Sequence, residues 1–169
     1  MKKLAIFGST GSIGQQTLEV LRAFPGEFEV VGLTAHKNET LLREQAKEFL
    51  NKNGLGKPKL SQKFTPGREF HLAPTPEEIA SLINHADYIV NALPGFAGLE
   101  VSLAAVRAGK TLLSANKESL AIAGRYLRAE AALTGAQILP LDSEASAIWQ
   151  LIHEYGQEKI SSITLTCSG

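Results

Sequence analysis

Cysteine is nearly absent. Cys167 is the one thiol among 169 residues, which excludes an intramolecular disulfide framework and fits a reducing compartment. An excess of either charge is missing too, since 17 basic and 17 acidic residues leave a net charge of zero. That balance excludes the basic footprint of a nucleic-acid binder and a cationic membrane-surface patch. No apolar run approaches the roughly 20 residues that a membrane helix needs. The opening "MKKLAIFG" puts basic residues before apolar ones, but the apolar run covers only residues 4–7 and no cleavage site follows. Internal repeats and low-complexity tracts are lacking as well. What is there is an ordinary globular composition, 44% hydrophobic and 20% charged, for which a cytoplasmic location is expected.

Short apolar runs alternate with amphipathic segments along the whole length, the order of βα units on a parallel sheet. Strands are expected over 4–7, 28–35, 87–93, 111–115 and 137–141. Helices are expected over 12–24, 38–50, 76–85, 98–109, 117–132 and 146–155. The first helix should face inward with Ile13, Thr17, Val20, Leu21 and Phe24. The second should do so with Leu42, Ala46, Phe49 and Leu50, and Asn38 is its expected N-cap. Residues 51–75 are rich in Lys, Gly and Pro and carry only a weak strand signal near 59–64. Trp149, spaced with Ile148 and Ile152, is expected in the core, and Cys167 as a packing residue. His71, His85 and His153 are expected in loops or on helix surfaces. The final "SSITLTCSG" reads as a strand entering a Ser-Gly loop, so the natural chain is expected to continue past Gly169.

Between the first strand and the first helix lies "GSTGSIG", with Gly8, Gly11 and Gly14. A dinucleotide-binding fold keeps its phosphate loop at this place. Glycine lets the backbone turn tightly and approach a pyrophosphate, and the amides of Thr10, Gly11, Ser12 and Ile13 then face the anion at a helix N-terminus. Ser9, Thr10 and Ser12 add hydroxyls. Glycine at a strand-to-helix turn is unspecific alone; its position after the first strand makes it specific. The expected class is therefore α/β, a Rossmann-type doubly wound, mainly parallel sheet. An NAD site keeps an acid at the tip of the second strand, but here the tip reads His36, Lys37, Asn38. A cation and an amide suit a ribose 2'-phosphate, so NADPH is the expected cofactor; a solvated loop lysine is the plain alternative.

Two more clusters follow strand ends. Asn116, Lys117, Glu118 and Ser119 follow the strand over 111–115. Lys117 can neutralise a developing oxyanion and Glu118 can face the cofactor, or Asn116 can simply cap a helix whose first turn is solvated. After "ILPL" comes Asp142-Ser143-Glu144. In an extended stretch both carboxylates project to one face and could share Mg²⁺ or Mn²⁺; the alternative is that Asp142 or Ser143 caps the next helix. No His or Cys stands nearby, which argues against zinc.

"GSTGSIG", "ANKESL" and "DSEASAI", in this order and spacing, resemble the N-terminal half of the 1-deoxy-D-xylulose 5-phosphate reductoisomerase family, with "RAGK" and "TCSG" extending the likeness over the whole chain. The resemblance implies an NADPH- and metal-dependent enzyme of non-mevalonate isoprenoid synthesis. Such an enzyme converts 1-deoxy-D-xylulose 5-phosphate to 2-C-methyl-D-erythritol 4-phosphate and is a homodimer. It implies that Thr10, Gly11, Ser12 and Ile13 hold cofactor phosphates, Lys37 and Asn38 sit at the 2'-phosphate, and Asn116 and Glu118 line the cofactor; His36 beside them could strengthen the 2'-phosphate contact or only change the loop. Lys117, Ser143 and Ser168 would meet the phosphorylated sugar, and Asp142 and Glu144 the Mg²⁺ or Mn²⁺, with Lys117, Asp142 and Glu144 the catalytic set.

The resemblance also implies a cofactor domain over 1–140 and the start of a catalytic domain over 141–169. Two positions depart from the pattern. His36 stands where the family has glycine, and Ala145 where it has histidine. Family members are about twice as long, with a third metal-binding glutamate, a lid and a further domain. A chain stopping at Gly169 should therefore bind NADPH yet turn over little. A divergent NADP-dependent sugar-phosphate reductase and a non-catalytic nucleotide-binding module are the other readings.

Overall fold

The computed structural model describes residues 1–50 and 68–165. Six parallel strands form one sheet in the order β3-β2-β1-β4-β5-β6. They are β1 (Lys2–Phe7), β2 (Phe28–Ala35), β3 (Glu69–Leu72), β4 (Tyr88–Asn91), β5 (Thr111–Ser114) and β6 (Gln137–Pro140). The helices between and after them are α1 (Ser12–Ala23), α2 (Glu39–Phe49), α3 (Pro76–His85), α4 (Ala97–Arg107), α5 (Lys117–Thr134) and α6 (Ser143–Tyr155). The order reverses between β1 and β4, the switch point at which Rossmann-type sheets bind ligands. The doubly wound expectation holds.

A strand covered on both faces needs an apolar side chain at nearly every position. In β1, Leu4 and Ile6 enter one core with Leu18 of α1 and Leu42 and Ala46 of α2. Ala5 and Phe7 enter the other, with Leu82 of α3, Val101 of α4 and Leu127 of α5. Among the described residues β6 is the outermost strand, and Pro140 is tolerated there because no described strand needs its amide.

Several expectations need correction. In α1 the buried residues are Gly14 and Leu18, while Val20 and Phe24 are 55% and 58% exposed. The buried stripe is rotated by about one residue because Gly14 brings the helix backbone against the phosphate loop. β3 was not expected as a strand. Its Phe70 is fully buried, but Glu69 and His71 on the other face are polar. His71 is buried rather than on a surface: Glu69 lies 3.1 Å from its Nε2 and Glu78 of α3 lies 2.9 Å from its Nδ1. Trp149 is not a core residue; it is 38% exposed and stacks on His153 at 5.0 Å. The strand signal near 59–64, Cys167 and Ser168 lie outside the described residues. Among the described residues no helix is long and apolar enough to cross a membrane.

Candidate active site at the carboxyl edge of the sheet

Register sets the site. Phe7 pairs with Asn91, Asn91 with Ser114 and Ser114 with Pro140, so four strands end level. Phe7 also pairs with Thr34, and Thr34 with His71. The glycine loop, His36–Asn38, the loop after β4, Lys117 and Asp142 therefore all leave the same edge of the sheet. All of them stand at the edge where a Rossmann-type sheet binds its ligands.

The glycine loop is built by three contacts. Gly8 has a φ of +88°, and a Cβ there would come within 2.8 Å of the Ala92 carbonyl oxygen. A Cβ on Gly14 would collide with the Gly8 carbonyl and Ser9 Cα, so only glycine lets α1 start this close to β1. Gly11 is the N-cap of α1 and its carbonyl accepts the first helical bond, from Gln15 at 2.9 Å. The amides of Ser12, Ile13 and Gly14 precede that bond, and no side chain caps them. Asn38, Thr75, Asn116 and Asp142 cap α2, α3, α5 and α6. α4 also lacks a side-chain cap, at Phe96, so what sets the bare α1 amides apart is the glycine loop before them, the arrangement that binds phosphate.

Ser9 does not add a hydroxyl to this site. It is fully buried, its Oγ 2.7 Å from Gln45 Oε1 and 3.2 Å from the Thr34 carbonyl. Thr10 and Ser12 remain beside the loop. His36, Lys37 and Asn38 are exposed after β2. Asn38 Oδ1 accepts from Leu41 N at 3.1 Å, so that oxygen is a cap and its amide nitrogen is the group left to face a ligand. Glu39 pairs with Arg43 within α2, away from the strand tip, which leaves Lys37 as the charge there.

Asn116 is also fully buried, and its side chain holds the loops rather than facing the crevice. Its Nδ2 donates to the Leu93 and Gly95 carbonyls at 2.7 and 2.8 Å, and its Oδ1 accepts from Ser119 N at 2.8 Å. Asn91 repeats the device, donating to the Gly98 carbonyl at 2.7 Å and to Ser102 Oγ at 2.9 Å. Lys117 and Glu118, exposed in the first turn of α5, are the groups this frame presents. Sequence pattern missed the holders Asn91, Gly98, Gln45 and Thr34; a polar Gln45 beside the apolar stripe of α2 was the available signal.

Asp142-Ser143-Glu144 is not an extended triplet. Asp142 is the N-cap of α6, accepting from Ala145 N at 3.3 Å through Oδ2, while Ser143 and Glu144 already belong to the helix. The alternation of an extended chain therefore does not align the carboxylates. The opposite oxygen of Asp142 gives the second role: Oδ1 is buried and lacks any hydrogen-bond partner. A buried, unpartnered carboxylate oxygen is costly unless a cation or donor meets it. With exposed Glu144 in the first turn of α6, it fits two of the oxygen donors that Mg²⁺ or Mn²⁺ takes. No cluster of three metal-binding side chains occurs among the described residues. Two apolar clefts of about 640 and 740 Å³ flank α6, lined among others by Leu151 and Ile163 and by Ile122 and Trp149.

The sequence profile for 1-deoxy-D-xylulose 5-phosphate reductoisomerase matches residues 4–124. A protein of that name from Thermodesulfovibrio yellowstonii is 40% identical over 174 residues, covering 100% of this chain and 45% of its own length. One from Thermus thermophilus is 44% identical over 179 residues, again with 45% of its length covered. The chain thus spans under half the length of these relatives. Among solved structures, the Zymomonas mobilis reductoisomerase in complex with NADPH superposes with a TM-score of 0.72 at 34% identity, over 88% of this chain and 41% of that one. A reductoisomerase in complex with NADPH, fosmidomycin and magnesium gives 0.74 at 33% identity, over 89% and 38%. Biliverdin reductase from Synechocystis, at 18% identity and a TM-score of 0.59, shares the fold alone. On the profile match and these identities, the chain belongs to the 1-deoxy-D-xylulose 5-phosphate reductoisomerase family.

Proposed function

We propose that this chain is the cofactor-binding part of an NADPH- and divalent-metal-dependent reductoisomerase. Its reaction would convert 1-deoxy-D-xylulose 5-phosphate to 2-C-methyl-D-erythritol 4-phosphate. The observation that carries the reading is the shared edge: uncapped α1 amides, Lys37 after β2, Lys117 after β5 and the unpartnered Asp142 oxygen after β6. The relatives' complexes with NADPH and with magnesium support it.

In this reading the amides of Ser12 and Ile13, with Thr10 beside them, bind the pyrophosphate. Lys37, His36 and the Asn38 amide bind the 2'-phosphate. Glu118 orients the nicotinamide end, and Asn116 holds the loop on which Glu118 stands. Lys117 sets a cation against the substrate oxygens, and Ser143 offers a hydroxyl at the start of α6. Asp142 and Glu144 would hold Mg²⁺ or Mn²⁺, and Ser168 would meet the substrate phosphate. When bound, the ion neutralises charge on adjacent substrate oxygens and NADPH supplies a hydride. One carbon–carbon bond of the substrate would break as another forms, and the resulting aldehyde would accept the hydride at carbon and a proton at oxygen. The protein contributes placement of these groups.

We place the cofactor domain at 1–140 and the start of a catalytic domain at 141–169. α6 has no buried residue and leaves Trp149, Leu151 and Tyr155 partly exposed, as a helix does that packs on a further domain. A homodimer and a cytoplasmic location belong to the same reading.

The test is a titration of the purified protein with NADPH and with NADH, followed by assay with 1-deoxy-D-xylulose 5-phosphate and Mg²⁺ or Mn²⁺. NADPH is expected to bind at least about tenfold more tightly, roughly 1.4 kcal/mol. Equal binding would overturn the cofactor assignment. Tight NADPH binding by a full natural chain that never consumes the substrate would leave a nucleotide-binding module instead.

A further inference from the structure

Ser9 and Gln45 close a reciprocal pair of hydrogen bonds. The Ser9 hydroxyl donates to Gln45 Oε1 at 2.7 Å, and Gln45 Nε2 donates to the Ser9 carbonyl at 2.9 Å. The Ser9 carbonyl also settles the amide's orientation, because a flipped amide would set oxygen against oxygen. The residues are 0% and 4% exposed, so the pair is closed off from bulk water.

What the pair joins is more telling than its strength. Ser9 belongs to the glycine loop, while Gln45 lies on α2, about two turns beyond the loop that carries Lys37 and Asn38. Thr34 makes a parallel tie from the end of β2: its carbonyl accepts from Gly8 N at 3.1 Å and Ser9 N at 2.8 Å, and its Oγ1 lies 3.2 Å from Gly8 N. The Ser9–Gln45 side-chain pair and the backbone carbonyl of Thr34 thus tie the glycine loop to the segment bearing Lys37. A ligand with a pyrophosphate and a second phosphate gains from both contacts only when their separation is preset.

We propose that Gln45 is a positioning residue for cofactor discrimination. It holds the α1 amides and Lys37 at the spacing at which a dinucleotide carrying a ribose 2'-phosphate meets both. The proposal rests on the NADPH reading above. A ligand without the 2'-phosphate uses only one of the two contacts, so loosening the tie weakens NADPH more than NADH. A role in core packing alone would lower stability and leave their ratio unchanged.

The experiment titrates wild type, Gln45→Leu and Ser9→Ala with NADPH and NADH, with the melting temperature of each recorded and titrations run well below it. Gln45→Leu removes both hydrogen bonds at nearly constant volume, and Ser9→Ala removes only the hydroxyl. The NADPH-to-NADH affinity ratio is expected to fall roughly tenfold in Gln45→Leu and by a smaller factor in Ser9→Ala. An unchanged ratio in the folded variants overturns the proposal, even if they melt earlier. Should Gln45→Leu fail to fold, the Ser9→Ala ratio decides. A wild-type protein without NADPH preference instead overturns the cofactor reading itself.

Discussion

A Cβ on Gly98 would stand 2.5 Å from the side-chain amide carbon of Asn116, so the first turn of α4 and the cap of α5 share one close-packed point. Asn116 reaches past Gly98 to the loop carbonyls of Leu93 and Gly95, tying the two loops on the β5 side of the switch point. Gly98→Ala gains helix propensity of up to about 1 kcal/mol but displaces a buried, fully bonded amide, at about 1–3 kcal/mol. A net loss of about 1–2 kcal/mol is expected, lowering the melting temperature by roughly 2–8 °C. An unshifted melt would mean that Asn116 yields freely and that its hydrogen bonds do not fix the loop.

Asp142 caps α6, and the proposed function adds a second, separable duty in holding the ion. Asp142→Asn keeps an oxygen for the Ala145 amide, so stability should change by less than about 0.5 kcal/mol, while Mn²⁺ binding weakens tenfold or more. Asp142→Ala should lose the ion and also about 1 kcal/mol of helix capping. Calorimetric titration with Mn²⁺ and urea unfolding separate the two effects. Undiminished ion binding in both variants would reduce Asp142 to a cap and leave its buried oxygen to some other donor.

The parallel sheet was legible because its strands are buried on both faces, and a run such as Leu4-Ala5-Ile6-Phe7 has no other use in a short segment. β3 was not, since His71 and Glu69 occupy the face that pattern reading expects to be apolar. Their burial depends on Glu78, a residue on another element, and tertiary pairing leaves no local periodicity. In the site, types and order of residues were readable while roles were not. Asn116 and Ser9 look like ligands in the sequence and are holders in the fold, because only the folded backbone supplies the carbonyls they bind. The α1 stripe slipped for a related reason: Gly14 is buried by backbone contact, which a hydrophobicity scale does not count.

Lys37 is the positive charge at the tip of β2, with Glu39 occupied by Arg43. Lys37→Ala should weaken NADPH roughly tenfold, the scale of one charge-assisted contact of about 1.5 kcal/mol, and leave NADH almost unchanged. The wild-type preference should also shrink as salt is raised. Equal losses for the two nucleotides would assign Lys37 to the pyrophosphate or to the fold, and return the 2'-phosphate to His36.

Arg22 joins α1 to α2 through a two-pronged contact, Nε and Nη2 lying 2.6 and 2.8 Å from the two Glu48 oxygens. This hydrogen-bonded guanidinium holds the Glu48 carboxyl below its ordinary range. A depressed carboxyl stabilises the fold above its unfolded value, about 4.3, and that stability is lost as pH falls through the lower folded value. Both side chains are nearly half exposed, so water screens the pair to about 0.5 kcal/mol. Glu48→Gln removes the charge and leaves Arg22 over the Phe49 ring, 5.3 Å from its centre. The stability gap between wild type and Glu48→Gln, read by urea unfolding, should therefore be constant above about pH 5 and close below about pH 4. A gap of the same size in acid would mean that the charge on Glu48 contributes nothing and that the substituted side chain merely packs less well.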